Sequence, residues 1–210
     1  ICQLNPGERY LTTAAFAEDR EQIKIWLIKS ILKASGIWGS GLDTLLTMLR
    51  DTIREHGAAS FPVLEIERNM ARKGKALSFE GEEIEELVDL RYGEKRTFAL
   101  LSMLFPFIDC RNHFHVDHIF PKAGFKKVKL RKAGCSEDEI ETLQQYRDGL
   151  SNLQLLEGDT NQEKRDTPPA EWLRRMFPRE EDRSHYCEKH LLGMIPKDMS
   201  EFELFYDVRR

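Results

Sequence analysis

Residues 115–121 read His-Val-Asp-His-Ile-Phe-Pro, and residues 152–157 read Asn-Leu-Gln-Leu-Leu-Glu. The first run lies in a segment, His113–Phe120, that alternates in the manner of a short strand, and the second is a short apolar run bounded by turn residues. Pro121 favours an early end of the first strand, since proline cannot donate to a sheet. Two short strands are therefore predicted in the second half of the chain.

Helical patterns surround these two strands. Apolar residues recur at helical spacing from Glu18 to Ser35, and again from Ser40 to about Gly57. Further helices are predicted at Glu82–Arg91, at Thr97–Leu104, from the capping box Ser136-Glu-Asp-Glu139 to about Arg147, and from Thr167-Pro168 through Trp172, Leu173 and Met176. The pattern predicts a mainly helical α+β protein with a compact ββα unit. We expect a helical scaffold over residues 1–105 and the ββα unit with C-terminal helices over residues 106–210.

Composition excludes several classes of protein. With 40% hydrophobic and 32% charged residues, and no apolar run near the roughly 20 residues that span a bilayer, the sequence does not predict a membrane protein. The four cysteines form no C-x-x-C pair, which favours reduced thiols in the cytoplasm. The first residues, ICQLNPGERY, include neither an initiator Met nor a secretion signal, so we expect a fragment of a longer protein.

A basic stretch follows the first predicted strand. The net charge of −4 argues against non-specific coating of nucleic acid, but this stretch is locally positive and contains no acid between Phe120 and Gly134. Its basic residues are Lys122, Lys126, Lys127, Lys129, Arg131 and Lys132. We predict that these side chains contact DNA phosphates, with a solvated loop as the alternative.

Four residues near the strands suit phosphodiester hydrolysis. His118 can act as a base near neutral pH, and Asp117 can offer an oxygen to a hard cation such as Mg²⁺. Because adjacent strand residues point to opposite faces, the strand must end or twist here if both are to serve one phosphate. Asn152 can fix the backbone near His118, and Asn161 can offer a carbonyl oxygen to the metal. A turn residue at 152 and a helix N-cap at 161 are the alternatives.

The joint pattern Val-Asp-His-Ile-x-Pro and Asn-x-x-Leu-Leu-x₄-Asn-x-x-Lys resembles the HNH fold of the His-Me finger superfamily. The segment NLQLLEGDTNQEKRDTPP is similar to the same region in the HNH domain of RNA-guided DNA nucleases. The chain also resembles the HNH module in the C-terminal half of GmrSD-type, modification-dependent (type IV) restriction enzymes. The motif covers residues 114–172, and the helical half matches only in general character.

The resemblance implies a one-metal DNA endonuclease. His118 would be the general base, Asp117 and Asn161 the metal ligands, Asn152 the residue that braces the base-bearing loop, and Lys164 a group that binds the scissile phosphate. The metal would be one divalent ion, Mg²⁺ or alternatively Mn²⁺. The partners would be DNA, an N-terminal ParB-like nucleotide-hydrolysing sensor domain outside this chain, and a second copy in a homodimer for duplex cleavage. The biological role would be restriction of modified bacteriophage DNA.

The pattern also departs from the family. The final ligand is Asn161 where the family name implies histidine, and the sequence contains no G-x-x-x-x-G-K phosphate loop. Two alternatives stay open: an inactive HNH-fold module that binds nucleic acid, and a structural zinc domain. Zinc would use Cys110 with His113 and His115, or the fragment Cys187-Glu-Lys-His190.

Overall fold

The structure is a computed structural model, and it describes residues 9–33, 36–109 and 112–210. This part of the chain is mainly helical and contains a two-stranded sheet, so the predicted α+β, mainly helical class is confirmed. Among these residues, no helix has both the length and the apolar character needed to cross a bilayer. The chain divides into two compact units, Ile1–Leu87 and Val88–Arg210.

The first unit is helical. Its helices are α1 (Arg9–Thr12), α2 (Ala17–Leu32), α3 (Leu42–His56), α4 (Val63–Arg72) and α5 (Gly81–Val88), of which the last ends one residue into the second unit. The buried residues of its core are Trp26, Ile37, Leu45, Leu49, Phe61, Ile66, Met70 and Leu77. The predicted helices in 18–35 and 40–57 are confirmed as α2 and α3, although Ser35 lies outside the described residues. Helix α4 has no counterpart among the predictions.

The second unit contains the sheet. Its elements are α6 (Thr97–Leu104), β1 (Phe114–His118), α7 (Lys127–Lys132), α8 (Glu137–Tyr146), β2 (Leu153–Glu157), α9 (Gly158–Lys164), α10 (Pro169–Met176), α11 (Glu180–Lys189) and α12 (Phe202–Arg209). Both predicted strands are therefore present. Leu101 and Phe105 form one buried cluster with Leu153 and Leu155, so α6 covers one face of the sheet. The unit boundary accordingly falls before α6, earlier than the boundary predicted at residue 105.

The strands pair antiparallel, with Asp117 opposite Gln154 and His118 opposite Leu153. Successive side chains alternate between faces, so Asp117 and Gln154 share the face away from the α6 cluster. His118 leaves on the other side, at the last residue of β1. The sheet thus separates the two side chains while holding their backbones next to each other.

Local sequence explains several helix boundaries. Ser136 accepts a hydrogen bond from the backbone of Glu139, whose carboxylate accepts one from the Ser136 backbone, so the predicted capping box of α8 is confirmed. Helix α10 begins at Pro169 and buries Trp172 and Leu173, as predicted.

The basic stretch is helical and is not a loop. A 3₁₀ turn at Lys122–Phe125 leads into α7, because Phe125 and Leu130 are buried in the core and fix the stretch from one side. The basic side chains therefore stand on an ordered surface.

Candidate functional site

His118 is buried against an aromatic ring and a carboxylate. It is 7% exposed, its ring centroid lies 4.5 Å from that of Tyr92, and its Nε2 lies 2.8 Å from Oδ1 of Asp148. Burial lowers the pKa of His118 below its ordinary value, while the hydrogen bond with Asp148 acts in the opposite direction. A neutral imidazole at pH 7 follows, which is the form that can accept a proton.

Asp148 is bound by cations on both of its oxygens. The guanidinium of Arg147 donates to Oδ2 from Nε at 2.9 Å and Nη2 at 2.5 Å, and Nζ of Lys122 lies 3.4 Å from Oδ1. Burial raises the pKa of Asp148, but the hydrogen bonds from Arg147 and His118 outweigh it and lower the pKa to about 2. The carboxylate beside His118 is therefore ionised throughout the neutral range.

Asn152 fixes the backbone on two sides of this pair. It is fully buried, its Oδ1 accepts from the Phe120 backbone at 2.9 Å, and its Nδ2 donates to the Phe120 carbonyl at 3.1 Å. Nδ2 also donates to the carbonyl of Arg147 at 2.8 Å. One amide thus connects the segment after His118 to the loop that carries Asp148.

Gly149 determines how closely that loop approaches α12. A Cβ added at Gly149 would lie 2.0 Å from the hydroxyl oxygen of Tyr206, whose ring stacks on Tyr146 at 4.2 Å. The φ of Gly149 is −75°, which suits any residue, so lack of space explains the glycine. The position of Asp148 therefore depends on contact between its loop and the C-terminal helix.

Asp117 lies on the opposite face with a buried lysine. Nζ of Lys164 is 2.8 Å from Oδ2 of Asp117 and 2.6 Å from the carbonyl oxygen of His118. Lys164 is 1% exposed, and its burial lowers its pKa against the attraction of Asp117. Lys164 was predicted to bind the scissile phosphate, but the structure places its amine inside the site, where it joins α9 to β1.

Oxygen donors collect on this face. Oδ1 of Asp117 has no hydrogen-bond partner among the described residues, while Oδ2 accepts from Nε2 of Gln154 at 3.1 Å. Oε1 of Gln154 is buried and also lacks a partner there. Asn161 is half-buried one helical turn before Lys164, hence on the same side of α9. Carboxylate and amide oxygens are the donors that Mg²⁺ prefers, so these residues fit a hard divalent ion.

Tyr186 of α11 is electrostatically coupled to this face. Burial raises the pKa of its phenol, and the negative charge of Asp117 adds to that effect. Its hydroxyl has no hydrogen-bond partner within the described part of the chain. The ring also stacks on the buried His190, with centroids 4.0 Å apart.

The predicted DNA-binding residues differ in their surroundings. Lys126, Lys127, Lys129 and Lys132 are exposed on and before α7. Arg131 pairs with Glu137 at 2.6 Å, and Lys122 lies 4.2 Å from the Tyr92 ring while contacting Asp148. Lys122 is thus the basic residue that the structure connects to His118.

The residues of the zinc alternative are only partly described. Cys110 lies outside the described residues, and both His113 and His115 are exposed at the start of β1. Cys187 is a free thiol whose pKa is raised by burial. Among the described residues, no three His, Cys, Asp or Glu side chains form a group that could hold a metal.

Sequence reasoning missed Asp148, Tyr92 and Gln154. Gln154 had a usable signal, because it is the one polar side chain inside the apolar run NLQLLE and a buried amide needs a partner. Asp148 and Tyr92 had none, since their proximity to His118 depends on loop packing over long sequence separations.

Comparison of the chain with protein-family models finds no match, and comparison with curated proteins finds none either.

Proposed function

We propose that the chain is a metal-dependent DNA endonuclease of the HNH type, with β1, β2 and α9 as its ββα-metal module. The observation that supports this most is that Asp117 and His118 are the last two residues of β1: their side chains leave opposite faces, yet the charge of Asp117 still acts on the imidazole, and Asn152 braces the backbone that follows. Asp117 and His118 are adjacent in the chain, and the amide of Asn152 limits movement of the base.

The reaction is hydrolysis of a phosphodiester bond. His118 takes a proton from water, and the water oxygen forms a bond to phosphorus. The bond between phosphorus and one bridging oxygen breaks, and that oxygen leaves with the electron pair and is protonated by solvent. Asp117 and Asn161, with Gln154 beside them, would hold a divalent ion, and the bound ion would stabilise the negative charge that develops on the phosphate.

DNA is the proposed substrate because of the basic surface after β1. The lysines of the 3₁₀ turn and of α7 come soon after His118 in the chain, and Lys122 reaches the carboxylate partner of His118. Phosphate attraction acts locally, so a net charge of −4 does not prevent it. One site cuts one strand, and duplex cleavage then requires a second copy or a second nick. Restriction of invading DNA is the biological role we propose.

Plasmid nicking tests this function. We expect the full chain to relax supercoiled plasmid with Mg²⁺ or Mn²⁺, and not with EDTA. His118→Ala should reduce the rate by about 100-fold or more, as expected for loss of a general base. His185→Ala, at an exposed histidine of α11, is the matched control and should cut like the wild type. Equal rates for the wild type and His118→Ala would exclude His118 as the base.

The buried ion pair of Lys164 and Asp117 favours one competing function, an inactive module that binds nucleic acid. In such a module the ammonium of Lys164 would neutralise Asp117 permanently, in place of a metal ion. Such a module would retard DNA in a gel with no nicking at any divalent ion concentration. Metal-dependent nicking that is lost in Asp117→Ala would exclude it.

A further inference from the structure

The two nitrogens of His118 have different surroundings. Nε2 lies 2.8 Å from Oδ1 of Asp148, whereas Nδ1 makes no hydrogen bond to any residue in the described ranges. An ionised carboxylate can only accept, so the hydrogen between the two groups belongs to Nε2. When the ring is neutral, its lone pair is therefore on Nδ1.

Asp148 is itself held rigidly. Its Oδ2 accepts two hydrogen bonds from Arg147, and its backbone carbonyl accepts from the Tyr92 backbone at 2.7 Å. Asn152 holds the carbonyl of Arg147, next to Asp148 in the chain. The carboxylate thus has a fixed position relative to the segment that follows His118.

The imidazole is restrained as well. The Tyr92 ring packs against the imidazole at an interplanar angle of 43°, and Nζ of Lys122 lies over the Tyr92 ring, 4.2 Å from its centroid. Rotation of the imidazole would break the bond to Asp148 and disturb this packing. The ring is therefore oriented before any substrate arrives.

We propose that Asp148 is the positioning residue of the base: it fixes His118 as the Nε2–H tautomer and so makes Nδ1 the nitrogen that takes the proton from water. This assignment of Nδ1 rests on the proposed nuclease function, whereas the tautomer itself does not. The carboxylate also stabilises the imidazolium that forms when Nδ1 accepts the proton. Asp148 acts only through His118 and touches no reacting atom.

The amide variant Asp148→Asn makes this testable. Because Arg147 can only donate, the amide oxygen of the variant turns toward Arg147 and its NH₂ group turns toward His118. Nε2 must then accept, which forces the proton onto Nδ1. The same change elsewhere in enzymes, from carboxylate to amide beside a histidine base, costs about 10⁴ in rate through the wrong tautomer.

Nitrogen-15 NMR of the full chain without metal reads the tautomer directly. Spectra are recorded at about pH 9, above the ordinary histidine pKa of ~6.5, and the His118 signals are assigned by their loss in His118→Gln. We expect a protonated Nε2 and an unprotonated Nδ1 in the wild type, and the reverse in Asp148→Asn. Asp148→Glu should restore the wild-type tautomer. Asp182→Asn, at an exposed Asp–Arg pair of α11, is the control and should change nothing at His118.

Nicking kinetics give the second measurement. We expect kcat of Asp148→Asn to fall by about 1,000-fold with KM changed less than about threefold, and partial recovery in Asp148→Glu. A wild type with the proton on Nδ1 would overturn the proposal, even if no Asp148 variant folds. So would an Asp148→Asn protein that keeps the wild-type tautomer or the wild-type kcat. The expected tautomers in a chain that never nicks DNA would instead overturn the nuclease function and support the role of Asp148 toward His118.

Discussion

Two buried histidines of the second unit, His118 and His190, have different surroundings. His118 and His190 are equally buried, but only His118 has a carboxylate partner. Nδ1 of His190 is buried without a hydrogen bond among the described residues, and the ring packs against Tyr186 and Phe107. We therefore propose His118 as the base, whereas His190 is a side chain of the core.

His190 makes stability depend on pH. Burial lowers its pKa to about 4, and the charges of Lys189 and Arg209 add to this. Because the unfolded chain binds a proton below about pH 6.5 and the folded chain does not until about pH 4, stability is complete above 6.5 and falls as the pH drops between these values. The loss from this residue is roughly 3 kcal/mol.

Urea unfolding at about pH 7 and about pH 4.5 measures this loss. His190→Phe should weaken the pH dependence, since phenylalanine keeps the ring packing and takes up no proton. His185→Phe, at an exposed position, should keep the wild-type dependence. A pH dependence in His190→Phe identical to that of the wild type would contradict the prediction.

At the scale of elements, α9 is connected to the sheet by one charged side chain. Lys164 joins this helix to Asp117 and to the backbone of His118, and its ammonium is fully buried. Removing one partner of a buried ion pair leaves an unpaired buried charge. This destabilises the fold by more than the intact pair stabilises it. The attachment of α9 therefore depends on a cation at Asp117.

Lys164→Met tests this dependence. We expect its free energy of unfolding in EDTA to fall by about 3 kcal/mol, because Asp117 loses its counter-charge. Mn²⁺ should then stabilise the variant more than the wild type, since the metal replaces the missing cation. Lys132→Met, at the exposed end of α7, should stay within about 0.5 kcal/mol of the wild type in urea unfolding. A Lys164→Met protein as stable as the wild type in EDTA would exclude a bridging role for Lys164.

The elements differ in how well sequence predicts them. The α8 boundary follows from Ser136 and Glu139 alone, and α2 and α3 from apolar spacing. Helix α7 was not predicted, because its lysines conceal the one buried residue of the helix, Leu130. Asn152 and Asp117 were found by motif, whereas Asp148 was found only through the packing of its loop against Tyr92 and Tyr206. Motifs carry the chemistry of a site, but loop packing over long separations does not appear in local sequence.

For the whole molecule, the division between Leu87 and Val88 has consequences for the site. The second unit has its own apolar clusters, one around Phe120 and Phe202 and one between α6 and the sheet. Tyr92 and α6 both belong to this unit. The predicted boundary at 105 would remove the ring beside His118 and the helix that covers Leu153 and Leu155.

Two fragments distinguish these boundaries. We expect residues 88–210 expressed alone to unfold cooperatively on heating, because both apolar clusters remain complete. Residues 106–210 should lack a cooperative transition, since Leu101 and Phe105 no longer cover the sheet. Circular dichroism melts of the two fragments measure this, with the full chain as the reference. A cooperative melt of residues 106–210 would show that α6 is dispensable.

Gly149 extends the site to a residue without a side chain. No side chain fits between Gly149 and the phenol of Tyr206, so α12 sets the position of the loop backbone that carries Asp148. Substitution of Gly149 by any residue with a Cβ would impair the enzyme we propose, although every reactive group would stay in the chain. If the proposed nuclease function holds, its loss can thus originate at a residue that is neither an acid, a base nor a metal ligand.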